Sequence, residues 1–178
     1  MLNEIAADRL PRIPLLRRAI AFLIDFVAAW LISALLSLNL FAQLSLFLVA
    51  WLGMRVALVS RNQGQSLGRW SVDTRVVDAR FGKTPGLQAL LKRELITGLG
   101  SACLIFGLIS LAPGGNGWAG VLIVLPGIDY GIAVADSFRR QTFHDRIART
   151  VISPSRRGYS LDIKVKNLLA KATRRMKR

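Results

Sequence analysis

Residues 19–38 form an apolar run that carries a single charge, and this run fixes most of what can follow. A helix of that length is about 30 Å long at ~1.5 Å per residue. The hydrocarbon core of a bilayer is also about 30 Å thick, so the run reads as a membrane span. It opens behind Arg17 and Arg18, and its one charge is Asp25. A carboxylate at the centre of a span costs about 2.5–3.5 kcal/mol on insertion scales, and less nearer the end. Asp25 therefore asks for a reason. It is either half of a packing hydrogen bond or ion pair, or a ligand or proton site. Arg18 lies two turns earlier on the same face, about 10 Å of rise away. The partner is therefore expected elsewhere, from Arg139, Arg140 or the connector after the second span.

Three more apolar runs follow, at about 44–59, 95–112 and 119–135. Arg55 lies in the last turns of the second, where its long stem lets the charge reach the headgroups. The fourth contains Pro126, which favours a kink, and Asp129. Gly127 and Gly131 bracket Asp129 at a spacing that permits close helix approach. Asp25 and Asp129 share a depth if the spans alternate. Adjacent helices would then let them share a proton or cation, or each take an arginine.

The distribution of positive charge turns these runs into a topology. A mean hydropathy of +0.41 and a net charge of +15 conflict unless apolar and basic residues are segregated. They are segregated here. Of 25 Lys and Arg, four precede the first span, eight lie from Arg55 to Arg93, and 13 follow the fourth span. The links at 39–43 and 112–118 carry no charge. Basic residues favour the cytoplasmic side. The expected fold is all-α, with four transmembrane helices as two hairpins and both termini cytoplasmic. A basic cytoplasmic connector joins the hairpins, and a basic amphipathic tail closes the chain. The segments are 1–14 (N-terminal, cytoplasmic), 15–152 (four-span domain) and 153–178 (basic tail). Residues 1–12 lack the short apolar core and small-residue site of a cleaved leader, so the first span is expected to be retained as the insertion signal.

In the connector, residues 72–78 alternate enough to suggest an extended piece, and 78–82 read as a hairpin loop. Thr84 followed by Pro85 reads as a cap and first helical position. Lys92, Arg93 and Glu94 then fall on an amphipathic turn before the third span. Trp118 sits where an interfacial aromatic is expected. In the tail, Leu161, Val165, Leu168, Leu169, Ala172 and Met176 recur at helical spacing among seven basic residues from Lys164 to Arg178. Such a helix suits an anionic cytoplasmic leaflet.

Three stretches carry a resemblance. R-R-A-I-A-F-L-I-D at 17–25 resembles the opening signature of the RDD family of small membrane proteins, named for an arginine and two aspartates. G-Q-S-L-G-R at 64–69, R-V-V-D at 75–78 and G-K-T at 82–84 are similar to the family's connector. R-Q-T-F-H-D-R-I-A-R-T-V-I at 140–152 is similar to its closing motif. The resemblance covers about residues 12–152. It implies Arg17 or Arg18 as the family arginine, Asp25 as the first aspartate, and Asp129 or Asp145 as the second. It adds Arg140, His144, Gly64, Ser66, Gly68, Asp78 and Gly82 as signature positions. The chain departs from the family at Arg69, where lysine is common, and in the basic tail. The resemblance implies transport, with ion–proton exchange proposed for some members, and names no substrate.

The remaining chemistry narrows the function further. Cys103 is the only cysteine, so no disulfide or cysteine-based metal site forms within one chain. No zinc-protease helix, phosphate loop or nucleophile beside a base is present. His144 beside Asp145 is no catalytic arrangement, and Asp145 suits a capping role in the closing segment. The expectation is a non-enzyme without cofactor or metal. Nucleic acid is not expected as a partner, because the basic residues border apolar spans and anionic lipid accounts for them. Four spans are few for a transport path. Transport of ions or small solutes would then need an oligomer, and the rival is an accessory or assembly subunit of a larger membrane complex. The expected location is a bacterial inner membrane or another energy-converting membrane.

Overall fold

The computed structural model describes residues 11, 13–36, 39–114, 117–136 and 141–155. Arg139, Arg140 and the tail helix expected at 159–178 lie outside the described residues. Four helices are long and apolar enough to cross a membrane: Leu15–Leu36, Leu40–Arg61, Leu87–Ser110 and Gly117–Ala135. They are the four expected spans, with the third starting earlier than its apolar run.

The first span is one unbroken helix, α1 (Leu15–Leu36). The second starts as α2 (Leu40–Leu52), where the Asn39 side chain accepts the Ala42 N–H at 2.8 Å and satisfies an otherwise orphan donor. It then widens into a π-helical turn at Gly53–Ala57 and ends as α3 (Leu58–Arg61). A π turn re-aims the side chains it carries and is frequent at functional sites. Here it carries Arg55, which is 4% exposed. The expectation that Arg55 reaches headgroups is corrected: the guanidinium turns inward.

The connector folds onto the spans. Its helix α4 (Leu67–Ser71) is capped by Ser66 and packs on α1. Strand β1 (Thr74–Asp78) follows. The third span is α5 (Leu87–Ser110), whose N-cap is Gly86 without a side-chain bond, so Thr84 and Pro85 do not start it. The fourth span begins as a 3-10 helix at Gly117–Ile123 and becomes α6 (Val124–Ala135). Pro126 sits in the first turn of α6, where a missing N–H has no intrahelical partner to lose. The closing segment holds α7 (Phe143–Ile147), capped by Thr142, and β2 (Thr150–Pro154).

The fold is therefore mostly helical, and the all-α expectation is corrected by one two-stranded sheet. β1 pairs antiparallel with β2, from Thr74 opposite Pro154 to Asp78 opposite Thr150. The extended piece expected at 72–78 is real, but its partner is the closing segment and not a neighbouring hairpin arm. Residues 78–82 form a tight turn instead. Asp78 Oδ1 accepts the Arg80 N–H at 2.8 Å, and Gly82 takes a positive φ of 64°.

The connector and closing segments share one plan. Gln65, Ser66 and Thr74 recur as Gln141, Thr142 and Thr150 at the same spacing. Each glutamine donates its side-chain amide to the threonine carbonyl nine residues on, at 3.0 Å in both. Each hydroxyl residue caps a five-residue helix. Asp73 and Arg149, just before the two strands, both adopt positive φ, 56° and 51°. Each such module follows the second span of a pair.

An apolar core lies along α1, α2 and α5. Ala29, Phe47, Trp51 and Ile105 are buried there, with Phe22 and Phe26 against them. Phe47 stacks on Trp51 with centroids 5.7 Å apart. The outward faces present exposed apolar side chains such as Leu35, Phe41, Val49, Leu99 and Val121, a surface suited to lipid.

Candidate functional site

At the connector end of the bundle eight ionisable side chains come together among the described residues, each no more than 6% exposed: Arg18, Asp25, Arg55, Arg69, Arg93, Glu94, His144 and Asp145. They come from α1, the π turn, α4, α5 and α7. Charges buried in this way persist only when paired and hydrogen-bonded.

Asp25 is saturated. Its Oδ1 accepts the Gly68 backbone N–H at 2.7 Å. Its Oδ2 accepts Arg55 Nη1 at 2.9 Å and the Ser66 hydroxyl at 2.6 Å. The partner expected from the connector or closing segment is thus an arginine of the second span, with two connector donors beside it. The approach requires a glycine at 68, because a Cβ there would lie 2.0 Å from the Ala21 carbonyl oxygen. Gly64 is constrained likewise: its φ is 86° and a Cβ would lie 2.4 Å from the Val76 carbonyl oxygen.

Glu94 is the hub. Its Oε2 accepts Arg55 Nε at 2.7 Å and the Thr97 hydroxyl at 3.0 Å. Its Oε1 accepts Arg69 Nη2 at 2.8 Å. The Arg55 guanidinium also lies 4.6 Å over the Trp51 ring, which joins the charged layer to the apolar core. Burial lowers the Arg69 guanidinium, and the positive charges of Arg55 and Arg93 lower it further, down to about 9, so it remains charged at neutral pH.

Asp145 holds the other two arginines. Its Oδ1 accepts Arg93 Nη2 at 3.0 Å and the Thr150 hydroxyl at 3.3 Å, and its Oδ2 accepts Arg18 Nη2 at 3.3 Å. Burial alone would raise its carboxyl, but the charges of Arg93, His144 and Arg18 outweigh burial and hold it well below the usual carboxylate range. The capping role expected for Asp145 is corrected. Thr142 caps α7, and the Asp145 side chain binds guanidiniums instead. Of the two candidate arginines, Arg18 enters the cluster, whereas Arg17 is half-buried outside it.

Asp129 stands apart from Asp25. Its Oδ2 lies 2.5 Å from His144 Nδ1, and its Oδ1 accepts the His144 backbone N–H at 3.2 Å. Asp25 and Asp129 therefore do not share a proton or cation; each has its own partners. Asp129 also borders an apolar groove of about 400 Å³ between α5 and α6, lined by Leu99, Cys103, Leu125 and Ile128 among others. Gly127 and Gly131 are exposed, and a Cβ at either would meet nothing within 4 Å. The close helix contact expected there does not occur among the described residues.

Sequence reasoning singled out Asp25, Arg18 and Asp145 but missed Arg55, Arg69, Arg93 and Glu94 as members of one cluster. One signal was available: Thr97 lies three residues after Glu94, on the same helical face.

A model of the RDD family matches residues 12–149 of the chain. No curated protein and no solved structure matches it.

Proposed function

The chain belongs to the RDD family and is an integral membrane protein, and from that premise we propose that it moves ions or small solutes as an oligomer, with the Asp129–His144 pair as the exchanging group. One contrast supports this reading. Among the described acids within the spans, Asp25 and Glu94 are held by arginines, while Asp129 is partnered by a histidine and is 16% exposed at the end of a groove. Ionisable groups inside spans mark ion or proton pathways, and an imidazole–carboxylate pair can take up and release a proton. The expected orientation puts both termini, the connector and the cluster on the cytoplasmic side, two hairpins in the bilayer, and the basic tail on anionic lipid. Tags at 41 and 115 should then be reached only from outside, and a tag at 65 only from the cytoplasm.

The test is flux in proteoliposomes under imposed proton, sodium, potassium and chloride gradients. The parent should carry at least one of these, and Asp129→Asn should lose it while remaining folded. An inert parent, confirmed as a homo-oligomer, would end the transport reading. A second reading, an accessory subunit of a larger membrane complex, draws on the fourth span. Only 11% of its most apolar 18 residues is buried, and its two open glycines leave a face for another helix. A single copy recovered within a large complex from gently solubilised membranes would favour that reading.

A further inference from the structure

The charge cluster borders a second, much smaller cavity of about 20 Å³, lined by Arg18, Arg55, Arg69, Arg93, Thr97 and Tyr130 among others. Two of these arginines are under-used. Arg69 is 2% exposed and Arg93 is 1% exposed. Arg69 Nη1, Arg93 Nε and Arg93 Nη1 are buried without any hydrogen-bond acceptor among the described residues. Among the described residues, the only carboxylate oxygen within 4 Å of Arg93 Nε is Glu94 Oε1 at 3.8 Å, beyond hydrogen-bonding reach. A guanidinium presents five donors and no acceptor, and a buried donor left unmade is costly, more so when charged.

Among the described residues no carboxylate oxygen lies within hydrogen-bonding reach of these nitrogens. Glu94 already accepts from Arg55, Arg69 and Thr97, and Asp145 from Arg18, Arg93 and Thr150. Both guanidiniums line the same cavity, which puts an acceptor there beside both side chains. Its volume, about 20 Å³, is small and suits a compact single ion better than phosphate, sulfate or a carboxylate-bearing solute. Two cations on a low-dielectric wall favour a negative acceptor over a neutral one. We infer that this cavity is a binding site for a single small monovalent anion of halide size, coordinated by Arg69 and Arg93. The anion also offsets the mutual repulsion of Arg55, Arg69 and Arg93, which lowers the Arg69 guanidinium. Asp145 lines the same cavity and opposes an anion, so affinity rests on the guanidinium donors.

The site is read by binding, so the inference stands or falls separately from transport. The full chain, purified in detergent with gluconate as the only anion, is titrated with chloride and with bromide at constant ionic strength. The thermal unfolding midpoint should rise saturably with either halide and not with added gluconate. Crystals grown in bromide should show one anomalous peak between Arg69 and Arg93. Arg69→Lys keeps a charge beside Glu94 but removes the spare donor. It should weaken halide half-saturation by about tenfold or more, the scale of one charge-assisted hydrogen bond. If that variant does not fold, the bromide peak in the parent decides. A halide-independent midpoint together with no bromide peak would overturn the inference and leave water as the occupant.

Discussion

The connector module at 65–78 puts an arginine where the closing module at 141–154 puts an aspartate. Arg69 and Asp145 both stand four residues after the motif glutamine, and both are buried in the same cluster. The likeness goes further. Asp25 accepts the backbone N–H of residue 68, and Asp129 accepts that of residue 144. Each module thus offers its short helix to one acid of a neighbouring span. The side chains then diverge. Gly68 has none, which lets α4 lie against the α1 backbone, whereas His144 fills that place and pairs with Asp129. One backbone plan carries two chemistries: one module adds a cation to the cluster, the other an anion. The difference teaches that the scaffold sets positions while single side chains set charge.

The largest effect should come from breaking the charge contrast. Asp145→Asn removes the charge that Arg18 and Arg93 share, and removing one partner of a buried pair costs about 3–5 kcal/mol. Arg69→Gln should cost less, about 1–3 kcal/mol for a lost charged hydrogen bond, because Glu94 retains Arg55. Thermal unfolding in detergent ranks the two, and an equal or reversed order would break the asymmetry. Acid should single out the closing module next. Asp145 titrates lower folded than unfolded, so its contribution is full above its unfolded value of about 3.9. That contribution is lost as pH falls through the folded value, and a comparable paired aspartate contributes about 2–3 kcal/mol. The unfolding midpoint should drop below about pH 4, and Asp145→Asn should remove that part of the drop.

A smaller effect is expected at the residue-68 contact. Gly68→Ala drives a methyl into the Ala21 carbonyl, and overpacking of this kind costs about 1–3 kcal/mol. Unchanged stability would mean that α4 can retreat without loosening Asp25. The smallest effect tests the likeness itself. Gln65→Ala and Gln141→Ala each remove one side-chain bond to a strand carbonyl, and each should cost about 1 kcal/mol. Urea midpoints that differ widely between them would show that the shared plan is not shared in energy.

How much of this was legible in the sequence follows from what each residue depends on. Asp25 was legible because a lone acid in an apolar run is conspicuous by composition alone. The spans were legible for the same reason. Arg55 was misread because its position in the chain places it near a span end, and only the π turn at Gly53–Ala57 reveals that it points inward. Glu94 looked like part of a polar turn because hydropathy assigns charges to interfaces, while its burial depends on guanidiniums from two other elements. The β1–β2 pairing joins segments about 75 residues apart, beyond any local pattern. The repeated Gln, Ser or Thr, and Thr was present in the letters, but its meaning lies in hydrogen bonds to a backbone that had yet to be placed. The resemblance singled out Gly64, Ser66 and Gly68; the structure shows that Ser66 and Gly68 donate to Asp25, while Gly64 lies against the backbone of β1.

The strand pairing also imposes an order on assembly. β1 emerges from the ribosome well before β2, so it waits, unpaired, through the synthesis of two more spans. Over the same interval Arg18 and Arg93 wait for Asp145, which arrives with the same late segment. Non-local contacts of this kind form slowly because distant segments must first be brought together, and waiting intermediates expose unpaired edges. The closing module therefore works as a clasp in time as well as in space. Until it docks, Arg18 and Arg93 lack the carboxylate of Asp145, a condition that sets an unfinished chain apart from a finished one.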